Sequence, residues 1–199
     1  MDDLATFLDR VFSRLPATPP REFQWFHWSH PGRATEEGFG LLPVPGLDPA
    51  KLIDAVMDVD HYVGNVEHVK VCRSVQDSRF HPAEARRFYQ RIDVPMLGSV
   101  HHELVIRRLG ERKGYAVAAW DLLRPETDAL SPKDGARSDY SQGAWLAAPG
   151  LIGYALASAP RREDVGLLKW KALTAGADVA ASRVLRANLE GMARWAGRR

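Results

Sequence analysis

Between Val66 and Ser158 the apolar residues recur at the spacing of β-strands, over residues 69–75, 85–94, 99–109, 115–123, 142–147 and 152–158. The joining segments are short and carry turn chemistry, as at Asp77-Ser78, His81-Pro82, Pro95 with Gly98, and Gly110 to Gly114. A parallel partner needs a long crossover, so strands that follow one another through short loops pair as antiparallel neighbours. A meander is therefore predicted, and its apolar face needs a cover.

The cover is predicted at the C-terminal end. Leu173, Ala177, Ala181, Val184, Asn188, Met192 and Trp195 recur at three- or four-residue intervals, with Leu185 and Leu189 widening the stripe. Upstream, Gly38 to Val44 reads as a short strand and Pro45-Gly46 as a turn. Asp48 then caps a helix, Pro49 suits its first position, and Leu52, Ile53, Val56 and Met57 form its apolar face. Asp58 and Asp60 end that helix, and a short helical turn follows around residues 61–63. Leu4, Phe7, Leu8, Val11, Phe12 and Leu15 predict a further amphipathic helix over residues 2–15.

The aromatic run 23–30 packs that first helix onto the body, so residues 1–36 read as an extension and 37–199 as the main domain. If Trp25, Phe26 and Trp28 were exposed instead, they would offer a surface to another protein. His27 and His30 have metal-ligand spacing, but no carboxylate or cysteine completes a set there, and no metal is expected. Residues 125–138, polar and holding Pro132 and Gly135, read as a mobile loop with the position of a lid.

With 199 residues, 45% of them hydrophobic, the chain suffices for one domain with a real core. No stretch approaches the ~20 apolar residues of a membrane-spanning helix, and the first residues are acidic and amphipathic, so a cytoplasmic protein is expected. Cys72, the single cysteine, excludes an internal disulfide and reads as a buried, inert thiol. A net charge of +2 excludes wholesale nucleic-acid binding, although it is split between an acidic beginning and a basic end. The basic final helix could meet an anionic membrane surface peripherally, yet its charges are spaced as on a solvated face. There is no phosphate loop, nucleophile elbow or HExxH motif, and no cofactor is expected.

The order strand, two short helices, about six antiparallel strands and a long closing helix resembles the helix-grip fold of the START and SRPBCC superfamily. That group includes START lipid-transfer domains, birch-pollen-allergen relatives, coenzyme-Q-binding START-like proteins and polyketide cyclases. The resemblance is carried by residues 47–62, with their capped helix leaving at an acidic residue before an aromatic one, by 91–98 ahead of a strand, and by the closing 188–194. It spans about residues 37–196 and implies an α+β fold, a curved antiparallel sheet wrapped around the last helix. It also implies a hydrophobic small-molecule ligand (lipid, isoprenoid or polyketide-like) in an internal cavity, bound or transported. A cyclase or aromatase using the same cavity is the alternative.

Strand alternation names the wall. Phe88, Gln90, Ile92 and Val94 share one face, and Val100, His102, Leu104 and Ile106 another, both taken as inward. Trp120 and Tyr154 are further ligand-binding candidates. His102 is the catalytic candidate of an enzyme, with Glu103 or Asp121, although Glu103 as its strand neighbour must point the other way. Ala116, Ala118, Gly143, Ala144, Gly153, Ala155 and Ala157 provide either room inside or close packing.

Overall fold

The computed structural model describes residues 3–94, 97–175 and 177–199, with side chains for all of these except 172–175 and 177–181. The strands are β1 (Gln24–Trp28), β2 (Glu37–Pro43), β3 (Val69–Val75), β4 (Ala85–Val94), β5 (Gly98–Arg112), β6 (Tyr115–Leu122), β7 (Ala136–Ala148) and β8 (Leu151–Pro160). The helices are α1 (Leu4–Arg14), α2 (Pro49–Met57), α3 (Arg124–Asp128), α4 (Arg162–Val165), α5 (Leu167–Ala175) and α6 (Ala177–Gly197), with a 3₁₀ turn at Val59–His61. One curved sheet holds all eight strands in the order β1-β2-β8-β7-β6-β5-β4-β3. These neighbours pair antiparallel, and β5 and β7 also touch in parallel where Val100 meets Ala136.

The predicted meander runs from β3 to β8, and β2 joins its far end through β8, where Leu42 faces Ile152. The expected Asp48 cap forms, its carboxylate accepting the Ala50 N–H at 2.8 Å; α1 starts two residues later than expected, where Asp3 caps it by accepting the Thr6 N–H at 2.8 Å.

Three expectations change. The aromatic run forms edge strand β1, paired with β2 from Gln24 opposite Leu41 to Trp28 opposite Glu37, so the sheet begins inside the segment that sequence sets apart. His27 and His30 share no helical face, and His27 pairs with Glu36 and stacks on Trp25. The predicted loop 125–138 is regular at both ends and remains a loop between them: residues 124–128 are α3, and β7 begins at Ala136, six residues early, which leaves 129–135 as the connection. Thr127 explains this, because it is fully buried and its hydroxyl accepts the Glu103 N–H at 3.0 Å, tying α3 to β5.

The sheet is apolar on both faces. On the concave side lie α2 and α6, with Val56, Leu185, Leu189 and Met192 buried. The stripe positions Leu173, Ala177 and Ala181 lie outside the described side chains, and Pro95 and Met96 lie outside the described residues. On the convex side, α1 presses Phe7, Leu8, Val11 and Phe12 onto Phe39, Val117, Leu146 and a floor of small residues. Ala144, Ala155 and Ala157 belong to this floor, and Gly153 lies there too, against Leu41 and Leu146. Their smallness serves close helix packing and not the interior. Among the described residues, no helix is long and apolar enough to cross a membrane.

A buried ion-pair cluster fixes α1 to the sheet. Glu37, fully buried at the start of β2, accepts two hydrogen bonds from the Arg10 guanidinium, at 2.8 and 2.9 Å, and one from Trp28 Nε1–H at 3.1 Å. Arg33 approaches the same carboxylate at 3.5 Å.

Candidate functional site

Between the concave face and α6 lies a cavity of about 410 Å³. Its size is that of sites for small organic ligands. Alternation along β4 and β5 aims Phe88, Gln90, Ile92 and Val94, then Val100, His102, Leu104 and Ile106, into this space. Trp120 from β6 and Tyr154 from β8 complete the set expected from sequence, so Phe88, Gln90, Ile92, His102, Leu104, Trp120 and Tyr154 all stand on one wall. None of the small residues named from sequence lines it. Ala116 and Ala118 pack in the concave core instead.

The aromatic part of the wall is a fixed stack. Tyr154 lies 5.4 Å from Trp120 with the rings nearly parallel, and 4.3 Å from Trp145. Gly143 makes the stack possible, since a Cβ there would overlap the Trp120 ring and sit 2.5 Å from the Ala155 carbonyl oxygen. Trp120 Nε1–H donates to Ser141 Oγ at 3.4 Å. Burial holds the Tyr154 phenol well above its ordinary pKa, so it stays protonated, and its hydroxyl makes no hydrogen bond among the described residues. Tyr62 is likewise held protonated by burial and donates to the Val56 carbonyl at 2.6 Å.

His102 sits in a relay. Its Nε2 lies 3.0 Å from Gln90 Oε1, which can only accept, so Nε2 carries the proton, and its Nδ1 accepts from Ser138 Oγ at 2.7 Å. Burial, assisted by neighbouring His101, lowers its pKa to about 3. The proposed acid–base pairs do not form. Glu103 points to the other face, where it accepts from Arg87 at 2.9 Å, and Asp121 pairs there with Arg107. At neutral pH His102 is thus an uncharged ring with both nitrogens engaged, unsuited to take up a proton.

This fixes a sign for pH dependence. The unfolded imidazole binds a proton near 6.5, the folded one only near 3, so between these values the unfolded chain holds the extra proton. The stability gained is fully present above pH 6.5 and is lost as pH falls towards 3, by up to about 1.4 kcal/mol per pH unit from this group. In nitrogen-15 NMR the His102 ring is expected to remain neutral at pH 5. A midpoint near 6 would show the ring to be free of the relay.

Sequence did not find several wall residues. Trp25 and Trp145 line the cavity, as do Tyr62, Leu185 and Asn188. Trp145 was legible two residues beyond Gly143 on the same strand face. Asn188 was legible as the polar residue in an apolar stripe. Its Oδ1 accepts the Glu67 N–H at 2.7 Å, joining α6 to the turn before β3, and nearby Gly191 lets the helix meet the Asn65 carbonyl, which a Cβ would strike. Cys72 is buried in the concave core beside Gln90, and its thiol pKa is pushed up to about 12, mainly by that burial.

No family model and no curated protein matches the chain. Solved structures do. A STAR-related lipid transfer protein from Xanthomonas axonopodis superposes with a TM-score of 0.69 at 12% identity, covering 91% of this chain and 97% of that one. Human STARD10 gives 0.70 at 12% identity over 100% of this chain and 81% of that one, and human StAR-related lipid transfer protein 5 gives 0.63 at 9% over 98% and 95%. At such identities the likeness concerns the fold, and it agrees with the element order and the wrapped sheet: the chain has the START-like helix-grip fold.

Proposed function

We propose that this protein binds and carries a hydrophobic small molecule, of lipid, isoprenoid or polyketide-like type, in the cavity between its sheet and α6. The observation that carries this reading is the cavity itself, about 410 Å³ walled mainly by aliphatic and aromatic side chains that the fold leaves unfilled. Burying an apolar ligand there contributes roughly 25 cal/mol per Å² of its surface before the cost of association. The fold shared with proteins whose names include lipid transfer agrees with that reading. Collecting a lipid or isoprenoid ligand would involve peripheral contact with a membrane, and Leu167 and Leu168, exposed next to each other on α5, are among the exposed apolar side chains that suit it.

Native mass spectrometry of protein purified from cells, without added lipid, tests the reading. The expected result is a bound species that is released at higher collision energy and extracts into organic solvent. Protein that is always empty, and that also takes up no hydrophobic probe, would overturn it.

A further inference from the structure

We infer that the cavity selects an uncharged ligand that presents a hydrogen-bond acceptor to Gln90; this rests on the carriage reading above. The first support is electrostatic. No Lys or Arg stands among the described lining residues. The carboxylates that do line the space, Glu36 and Glu67, are both partly or largely exposed to solvent. An anionic head drawn inside would lose its hydration and meet no Lys or Arg among the described lining residues, since Lys169, which donates to the carbonyl of lining Leu97 at 2.8 Å, is itself exposed; such burial costs several kcal/mol in a real protein interior. A cationic head fares no better deep inside, where the polar groups are His102, Gln90, Ser141, Tyr154 and Asn188, all neutral.

The second support is the direction of the relay. Ser138 O–H donates to His102 Nδ1, and His102 Nε2–H donates to Gln90 Oε1. The acceptor end of the Gln90 amide is thereby used, and what remains is its Nε2 amide group, two donors with no strong acceptor beside them among the described residues. Of its neighbours, only the weakly accepting Cys72 thiol receives anything from it. The complementary ligand group is an oxygen without charge: a ketone, quinone or ester carbonyl. Its body is flat or ring-containing, matched to the stack of Trp120, Tyr154 and Trp145. Ser138 and His102 are positioning residues in this arrangement, acting through Gln90.

Three fluorescent probes of one shape test this at pH 8: pyrenebutyrate, its methyl ester and unsubstituted pyrene, titrated into the full chain. The ester is expected to bind at least about tenfold more tightly than the acid, because its carbonyl takes the same hydrogen bond without the burial of a charge. Gln90→Glu keeps an acceptor for His102 Nε2–H and removes the donor. It should weaken the ester about tenfold more than it weakens pyrene. If that variant does not fold, Gln90→Met is read in the same way. Acid binding as tightly as ester, or a Gln90 variant that does not separate ester from pyrene, overturns the inference while carriage stands. Failure of all three probes to bind overturns this inference, and it overturns carriage as well where the purified protein is also empty in native mass spectrometry.

Discussion

Gly143→Ala is expected to remove binding and stability together. The added methyl group has nowhere to go: the Trp120 ring already lies where it would stand, and the Ala155 carbonyl oxygen closes the other side. Relief means turning Trp120 away from Tyr154, which breaks the stack and pushes the indole into the cavity. Overpacking of this kind costs about 1–3 kcal/mol, and a hydrophobic probe should lose at least about tenfold in affinity as the space fills. Urea unfolding and titration with the pyrene ester measure the two effects. A variant that binds the ester with native affinity would show that Trp120 does not bound the ligand space.

The second large effect lies on the opposite face. Glu37→Ala leaves the Arg10 guanidinium facing a buried void and takes the partner from Trp28 Nε1–H. Removing one member of a buried ion pair costs about 3–5 kcal/mol, because the remaining charge keeps its desolvation cost without compensation. The binding affinity of molecules that remain folded should not change, since Glu37 faces α1 and not the cavity. Unfolding curves check the first statement and probe titration of the folded fraction the second. A loss below ~1 kcal/mol would mean that water already reaches Arg10.

Much of this was readable in advance, for identifiable reasons. Strand period together with short turns gave the pairing of β3 through β8, and pairing with alternation then gave the inward faces of β4 and β5, from Phe88 to Val94 and from Val100 to Ile106. What escaped depends on contacts distant in sequence. The role of His102 is decided by Ser138, which lies 36 residues away at the start of a strand whose first residues are polar and read as loop. The run around Trp25 looked like an aromatic cluster because its alternation is masked: aromatic residues occupy both faces of β1, one towards the cavity and one towards Phe39. The small residues of β7 and β8 were legible as small, but only α1 lying on the convex side shows what they are small for.

That convex layer bears on how such a container can be emptied. Phe7, Val11 and Phe12 and their floor of alanines form a second core that, among the described residues, shares only Ala159 with the cavity wall. A hollow protein with a single core would have to lean on its cargo, growing soft each time the cargo left. Here the backs of β6, β7 and β8 are clamped whatever the front contains. Under the proposed carriage, loading and unloading are thereby confined to the cavity mouth, and the sheet keeps its shape whether the cavity is full or empty.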